Sequence, residues 1–258
     1  EGQKILPDGN LTISIGVSTY PQKASTDNEL IKFADDACYR AKFLRKNRVE
    51  SYFSVLEELQ KDVKEPEREI IASIRTLIAV INAKDKYTYR HVERVVYYCN
   101  IIADRLVLDE KQKKDFIYAA YLHDIGKINI SEDILMKVDQ LTDEEWEVLK
   151  KHPQNAVEII GNIEPLKDAV PIILQHHERF DGTGYPHQLK GDQIAFLARM
   201  LTVIDSFDAM TSIRPYQTKK SYAKAIAELK KCSGTQFDPQ TVDIFAGTIE
   251  SIVIAKFS

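Results

Sequence analysis

The sequence predicts a mainly α-helical protein with a short α/β segment at its N-terminus. Residues 11–18, LTISIGVS, alternate apolar and polar side chains, which is the period of a half-buried strand. From about residue 66 onward, apolar residues instead recur every three or four positions, which is typical of helices packed on one face. The 258 residues, 44% of them hydrophobic, are enough to bury one large core or two modest ones.

The N-terminal segment combines one predicted strand with one predicted helix. LTISIGVS is followed by the polar loop PQKASTDN and then by NELIKFADDACYRAKFLRKNRVE, in which apolar residues recur at helical spacing. One strand and one helix do not form a core, so this segment must pack on the rest of the chain or on something outside it. Pro66 marks a break in the charged stretch that follows. We therefore predict three parts: residues 1–50, a helical linker 51–67, and a helical domain 68–258.

The helical domain is expected to contain seven or more helices, and four of their apolar stripes lead to a histidine or an aspartate. The stripes are Val92, Val95, Cys99 and Ile102 beside His91; Phe116, Ala119 and Ala120 before His123; Ile172 and Ile173 before His176 and His177; and Leu197, Leu201 and Ile204 beside Asp205. Asp124 and Asp205 stand where these stripes predict burial. A buried carboxylate is unfavourable unless its charge is paired or coordinates a metal.

Capping and turn residues predict several boundaries in this domain. Thr142 and Glu145 have the spacing of a capping box at the start of a helix. That helix is expected to end near His152, because Pro153 cannot donate a hydrogen bond into its last turn. The glycine-containing residues 178–193 are expected to form one long loop.

Charge and composition exclude several classes of partner. The formal net charge of −4 provides no basic field that would attract DNA or an anionic membrane surface. No window approaches 18 consecutive apolar residues, and the chain opens without a signal-peptide pattern, so we expect a cytoplasmic protein with no membrane contact within this chain. The chain is expected to be a piece of something longer. Its three cysteines are far apart, which argues against both a disulfide framework and a thiolate zinc site.

The joint pattern of histidines and aspartates indicates a metal site. A single histidine at the edge of an apolar stripe is usually a hydrogen-bonded core residue. Five histidines here lie at helix ends or stripe edges, and two aspartates accompany them. Five imidazoles and two carboxylates suit a site for two borderline divalent ions, in which a carboxylate can bridge the ions. From spacing alone, a dinuclear site and ordinary core histidines both remain open.

Five segments resemble the motifs of the HD-GYP family, a subgroup of the HD metal-dependent phosphohydrolases. They are YTYRHVERV, YLHDIGKI, LKKHPQNA, HHERFDGTGYP and VIDSFDAMTSIRPY, and they occur in the family's order and roughly at its spacing. The resemblance covers about residues 68–248. It implies an all-helical fold with a two-metal site that hydrolyses the bacterial messenger cyclic di-GMP to linear pGpG and further to GMP.

The resemblance also implies a role for each site residue. One ion would be held by His91, His123, Asp124 and Asp205, and a second by Asp124, His152, His176 and His177. Lys127 matches the family's lysine that contacts the scissile phosphate, so Asp124 and Lys127 are the expected catalytic residues. The ligand types favour Fe or Mn and also accommodate Zn, Ni or Co.

The loop after the paired histidines is expected to form a wall of the site. Tyr185 offers a face for guanine stacking, and Arg214 is a candidate phosphate contact because a guanidinium can bind phosphate through a bidentate fork. For Glu178, Arg179 and Asp181, we expect the plainer role of stapling the loop by salt bridges.

Several positions depart from the family pattern. Tyr87 stands where some members carry a glutamate that supports a third metal, so two ions are expected. Gln188 replaces a glycine, Ile213 an acidic or amide residue, and Gln217 a basic residue. The expected ligands are intact, so these changes bear on substrate affinity. They leave open a related substrate such as 3′,3′-cGAMP, or a catalytically weak receptor that docks a GGDEF domain.

The first 50 residues resemble the C-terminal end of a GGDEF domain. LTISIGVS matches its late strand and ADDACYRAKFLRKNRV its last helix, but the catalytic loop is not in this chain, which therefore cannot act as a cyclase. The alternative in which the chain is a receptor that docks a GGDEF domain implies GGDEF-domain proteins as partners. The segment 52–82 has an apolar face that suits either a homodimer or packing on its own domain, formed by Ile70, Ile71, Ile74, Leu77, Ile78 and Ile81.

Overall fold

A computed structural model describes residues 13–21, 24, 26–44, 49–51, 69–74, 76–77, 88–137, 139–212 and 220–254. The chain divides into two compact units, one comprising Glu1–Glu58 with Thr248–Ser258 and the other Leu59–Gly247. Some expectations fall on positions outside the described residues: the linker 52–67, Tyr87, Ile213, Arg214 and Gln217.

The first unit contains a parallel pair of short strands connected by a helix. Strand β1 (Ile15–Val17) pairs in parallel with β2 (Val49–Ser51), and helix α1 (Asp27–Leu44) packs on both. A Cβ atom at Gly16 would lie 2.0 Å from the carbonyl oxygen of Ala34, so glycine permits this close approach of α1 to β1.

The sequence-based prediction of this segment is wrong in one respect. It continued the helix through Glu50 and gave the segment one strand, whereas α1 ends at Leu44 and Val49–Ser51 pairs with β1. The strand was missed because its hydrogen bonds are made to residues more than thirty positions away, and three residues are too few to show a period of two. A parallel pair requires such a crossover, and α1 provides it.

The second unit is helical, which confirms the predicted fold class. Beyond residue 87, the described residues form nine α-helices: α2 (Thr88–Leu106), α3 (Glu110–Leu122), α4 (Glu132–Leu135), α5 (Asp143–Leu149), α6 (His152–Ile160), α7 (Val170–Gln175), α8 (Phe196–Thr211), α9 (Tyr222–Lys231) and α10 (Pro239–Ile254). Short 3-10 helices occupy Ile125–Asn129, Glu164–Leu166 and Gly191–Gln193.

Helix α8 lies at the centre of this unit, where it contacts α2, α7 and α9. Tyr98, Phe207 and Phe245 meet edge to face beside it, with ring centroids 5.0 to 6.0 Å apart. Such geometry places the positive edge of one ring on the negative face of another. The apolar stripes predicted on α2 and α3 are buried, so the periodicity identified their inner faces correctly.

The predicted capping box is present, but the helix that it starts is shorter than expected. Thr142 and Glu145 cap α5 reciprocally. This helix ends at Leu149, and His152 begins α6 instead of closing α5. Pro153 lies in the first turn of α6, where its missing N–H leaves no intrahelical bond unmade.

Residues 69–74 and 76–77 are helical, and Ile70, Ile71 and Ile74 are buried within the chain. This part of the face that suited a dimer is therefore covered intramolecularly, and a homodimer stays a prediction. No helix within the described ranges is long and apolar enough to cross a membrane.

Candidate functional site

All seven residues predicted to bind metal converge in the helical unit. Their potential ligand atoms form three overlapping groups, and within each group the atoms lie within 4.8 Å of one another. The groups are His91, His123 and Asp205; His123, Asp124 and His176; and His152, His176 and His177. The middle group shares a histidine with each of the others, so the ligand atoms form one continuous cluster.

Close packing between two backbone segments positions the middle of this cluster. The 3-10 helix after Asp124 lies directly against the start of α6, where a Cβ at Gly126 would be 1.9 Å from the carbonyl oxygen of His152. Glycine is therefore required for this approach. Asn155 adds a long hydrogen bond of 3.4 Å from its side-chain amide to the Gly126 carbonyl. The result places Asp124 Oδ1 3.6 Å from His152 Nε2.

Three histidines are oriented by the helices that precede them. The Nδ1 atoms of His123, His152 and His176 lie 2.9, 2.8 and 2.6 Å from the carbonyl oxygens of Ala120, Leu149 and Ile173. Each of these carbonyls belongs to the last turn of a helix, α3, α5 or α7. A carbonyl only accepts, so Nδ1 carries the ring proton and Nε2 presents an unprotonated lone pair.

These lone pairs fit a bound cation. His152 Nε2 and His176 Nε2 face each other at 3.4 Å, although neither carries a proton to donate in the neutral form. His123 Nε2 is buried and makes no hydrogen bond among the described residues. Buried nitrogens without a donor are unfavourable unless something positive binds them. The donor set of neutral imidazoles and carboxylates therefore fits divalent metal ions.

His91 is oriented differently, by a carboxylate. Its Nδ1 lies 2.8 Å from Asp208 Oδ2, and its Nε2 lies 3.1 Å from Asp205 Oδ1. Arg94 donates to both oxygens of Asp208, from Nε at 2.6 Å and from Nη2 at 2.9 Å. The sequence reasoning missed Asp208 and Arg94. The available signal was their spacing, since each lies three residues, one helical turn, after a predicted ligand.

Burial and neighbouring charges set the protonation states of the cluster. Burial lowers the pKa of His152 to about 3 and that of His177 to about 4, and it holds the pKa of His176 well below its usual range. These rings are neutral at pH 7 and free to bind metal. Burial opposes the charged form of His91 as well, but hydrogen bonds to Asp205 and Asp208 outweigh it and raise the pKa of His91 to about 9. A metal ion at His91 Nε2 would replace that proton.

The two aspartates of the cluster stay ionised. Burial opposes their charged form. The nearby Lys127, followed in importance by His123, nevertheless holds the pKa of Asp124 well below its usual range. A hydrogen bond with His91 lowers the pKa of Asp205 in the same way. Lys127 Nζ lies 2.6 Å from Asp124 Oδ2, and its side chain is 25% exposed. The lysine that the sequence analysis singled out therefore lies beside the cluster with access to solvent.

The loop predicted at residues 178–193 is present over residues 178–190 and ends in the 3-10 helix Gly191–Gln193. A Cβ at Gly184 would lie 2.3 Å from the Arg179 nitrogen, which shows how tightly the loop folds on itself. Arg179 pairs with Asp181, as the sequence predicts. Glu178 also staples the loop, but through the backbone amides of His187 at 2.6 Å and Leu189 at 3.0 Å rather than through a salt bridge in the described chain.

Two further residues of the loop have specific geometry. Tyr185 stacks on His177 with ring centroids 4.9 Å apart and an interplanar angle of 23°. Its backbone N–H donates to the carbonyl of His177 at 3.2 Å. One face of the ring expected to stack on guanine is thus placed against a predicted metal ligand. Gln188, the replacement for a glycine, has a φ of 55°, a left-handed conformation that favours glycine.

A family model described as "HD domain" matches residues 75–241. The chain belongs to the HD domain family. This membership confirms the HD superfamily to which the sequence motifs point. The likeness of the first 50 residues to a GGDEF domain stays a prediction.

Curated relatives of this HD domain protein carry two substrate names. The chain is 36% identical over 205 residues to a cyclic di-GMP phosphodiesterase of Thermotoga maritima, covering 79% of this chain and 53% of the relative. It is 36% identical over 161 residues to the 3'3'-cGAMP-specific phosphodiesterase 3 of Vibrio cholerae, covering 62% of this chain and 35% of the relative. The chain thus spans about half or less of the length of these relatives.

A solved structure shares the fold of this HD domain protein. The crystal structure of the cyclic GMP-AMP-specific phosphodiesterase V-cGAP3 of V. cholerae superposes with a TM-score of 0.56 at 18% identity. The match covers 72% of this chain and 50% of that one.

Proposed function

We propose that this HD domain is a metal-dependent phosphodiesterase that hydrolyses cyclic di-GMP to linear pGpG and onward to GMP. The observation that carries the proposal is the convergence of five imidazoles and two carboxylates in three overlapping groups of ligand atoms. Two groups joined by a third would provide two metal positions, with the carboxylate of Asp124 common to both. The cyclic di-GMP phosphodiesterase of T. maritima supports the choice of substrate.

Each residue has a place in the proposed reaction. His91, His123 and Asp205 would hold one divalent ion, His152, His176 and His177 the other, and Asp124 both. Two such ions, Fe or Mn, supply Lewis acidity and a water that is deprotonated near neutral pH. Hydrolysis of one phosphodiester would join the oxygen of a water to phosphorus and break the P–O3′ bond. The ribose O3′ would take up a proton, and a 5′-phosphate would remain on the linear product.

The protein's own charges assist this displacement. Lys127 Nζ, which lies beside Asp124 and is partly exposed, would contact a phosphate oxygen and offset its charge. Arg214 is a second candidate for the same phosphate. Burial keeps His152, His176 and His177 neutral, so metal binding at these three rings does not compete with protons at pH 7, whereas His91 would release a proton when it binds a metal.

Turnover of cyclic di-GMP tests the proposal directly. The chain is purified anaerobically, loaded with Fe(II) or Mn(II) and incubated with the dinucleotide, and products are separated by chromatography. We expect pGpG or GMP from the loaded chain and no product from Asp124→Ala. A chain that loads two ions yet cleaves no cyclic dinucleotide would contradict the enzyme proposal and favour a receptor.

A second substrate is favoured by one relative. The V. cholerae protein named as 3'3'-cGAMP-specific has the same 36% identity to this chain as the T. maritima enzyme, over 161 residues compared with 205. The altered loop position Gln188 lies close in sequence to Tyr185. Comparison of kcat/KM for the two dinucleotides, with the same metal and protein preparation, decides between them, and we expect cyclic di-GMP to be preferred.

Three wider expectations accompany this proposal. We propose the division into residues 1–50, 51–67 and 68–258, a cytoplasmic location, and GGDEF-domain proteins as partners. Equilibrium binding of a purified GGDEF domain to this chain, with a loop variant such as Tyr185→Ala as control, tests the last of these.

A further inference from the structure

We infer that Asp208, held by Arg94, is a positioning residue for His91 and makes the metal position at His91 the tighter of two unequal positions. The inference rests on the proposed two-metal site and goes beyond it, because it assigns roles to two residues outside the ligand set and an order to the two positions.

Asp208 is placed to orient a ligand but not to be one. Its side chain is fully buried, and both of its oxygens are already engaged. Arg94 grips the carboxylate with two N–H groups, and His91 Nδ1 and the Ser212 hydroxyl share Oδ2 at 2.8 and 3.1 Å. A bidentate guanidinium fixes the plane of a carboxylate as well as its charge. The position of the His91 ring is therefore set from behind by a rigid group.

The partner of His91 differs in kind from those of the other histidines. Of the five clustered histidines that the structure describes, three are held at Nδ1 by neutral backbone carbonyls and His91 alone by a carboxylate. A carboxylate behind an imidazole fixes its tautomer and makes the opposite nitrogen a stronger electron donor. His91 Nε2 is thus the strongest imidazole donor of the cluster.

The charge of the ligand groups reinforces this difference. The group of His91 and His123 includes the carboxylate of Asp205, whereas the group of His152, His176 and His177 consists of imidazoles only. His177 is held through its ring contacts with Tyr185 and His176. Asp124 lies 3.6 Å from His123 Nε2 through Oδ2 and 3.6 Å from His152 Nε2 through Oδ1, so it is near both groups and does not distinguish them. A divalent cation therefore gains more electrostatic stabilisation at the His91 position.

Calorimetric titration of the metal-free full chain with Mn(II) alone tests the inference. We expect two binding phases for the wild-type chain. Asp208→Asn keeps the shape of the side chain but removes its charge, so it should weaken the tighter phase by about 10- to 100-fold, the range seen for partners of metal ligands, and leave the weaker phase unchanged. Thermal unfolding of each variant shows whether it is folded.

Two further variants complete the experiment. Ser212→Ala removes one donor to Asp208 but keeps its bonds to His91 and Arg94, so both phases should match the wild type. Arg94→Gln loosens the carboxylate without altering a ligand, and it should weaken the tighter phase selectively. This variant decides the question if Asp208→Asn does not fold.

The outcomes separate this inference from the proposed function. Wild-type protein that binds no Mn(II) would contradict both. Two phases that are identical in wild type and Asp208→Asn, or that weaken equally, would overturn the positioning role of Asp208 and leave the two-metal proposal intact. Selective loss of the tighter phase supports the inference.

Discussion

The Nε2 atoms of His152 and His176 face each other at 3.4 Å, and both are unprotonated because each ring donates its Nδ1 proton to a helix carbonyl. Two lone pairs directed at one another are unfavourable in a buried site. This arrangement becomes favourable when a cation lies between them, and it links the stability of the fold to metal binding.

Metal loading should therefore stabilise the protein against heat. A ligand present at 100 times its Kd adds about 2.7 kcal/mol when it binds the folded state only. We expect the Tm in Mn(II) to exceed that in EDTA, as measured by differential scanning calorimetry. Asp124→Ala, which removes the shared carboxylate, should show a much smaller difference, and an equal difference in both proteins would contradict a metal effect at this site.

The stability of the metal-free protein should be greatest near pH 6.5. The pKa values of His152 and His177 are lowered from about 6.5 to about 3 and 4, so their contribution is complete above pH 6.5 and is lost as the pH falls toward 4. The pKa of His91 is raised to about 9, so its contribution is complete below pH 6.5 and is lost as the pH rises through 9.

Urea unfolding from pH 4.5 to 9.5 in EDTA measures this dependence. His91→Gln should flatten the alkaline side and leave the acidic side unchanged. Stability that rises steadily between pH 7 and 9 in the wild type would contradict the role assigned to His91.

Gly126→Ala should reduce activity and stability by displacing the backbone that positions the metal ligands. Its Cβ would lie 1.9 Å from the backbone oxygen of His152, so the 3-10 helix and α6 must separate. A displacement of about 1 Å can reduce catalysis by about 10²-fold, and overpacking costs about 1 to 3 kcal/mol of stability. Turnover, metal content and Tm are the measurements.

Gly247→Ala is the matched control for this change. A Cβ at Gly247 meets no atom of the described residues within 4 Å, and Gly247 lies within helix α10. Alanine there should stabilise the helix by up to about 1 kcal/mol, with unchanged turnover. If Gly126→Ala behaves in the same way, the close approach to His152 is not required.

Tyr185→Phe and Tyr185→Ala should differ in metal content. Phenylalanine keeps the stacking on His177, whereas alanine removes it, so only alanine should reduce the metal bound per chain, as measured by mass spectrometry. A rise in KM for Tyr185→Ala with full metal content would instead indicate that the ring acts on the substrate base alone.

Gln188→Gly should stabilise the loop. A non-glycine residue in the left-handed region costs about 1 to 2 kcal/mol of stability. Glycine removes this strain, but it recovers only part of the free energy because it also increases the entropy of the unfolded chain. Gln188 has a φ of 55°. We therefore expect a higher Tm for Gln188→Gly than for the wild type, and no increase in Tm for Gln188→Ala, which keeps the strain. A lower Tm for glycine would show that the glutamine side chain itself stabilises the loop.

The sequence was most informative where a local pattern repeats. Apolar periodicity identified the buried faces of α2 and α3, and the spacing of Thr142 and Glu145 identified a capping box. Asp124 and Asp205 were predicted as site residues because a carboxylate on an apolar stripe is unfavourable unless a partner compensates its charge. Such signals lie within one or two helical turns, so a single sequence contains them.

Relationships between distant residues were not visible in the same way. Arg94 and Asp208 are 114 positions apart, so neither residue shows on its own that the two side chains pair. Val49–Ser51 becomes a strand only by pairing with Ile15–Val17. Each depends on the folded backbone bringing two segments together.

The hydrogen bonds of the histidines at helix ends affect which of these residues are retained during evolution. His123, His152 and His176 each satisfy a carbonyl in the last turn of a helix that would otherwise need water. A descendant that no longer needed catalysis but still bound an ion through these rings would be selected to keep these three side chains for folding. His177 makes no such bond in the described part of the chain and would be free to drift. Among relatives of this protein that have lost catalytic activity, we therefore expect His177 to be substituted before His123, His152 or His176.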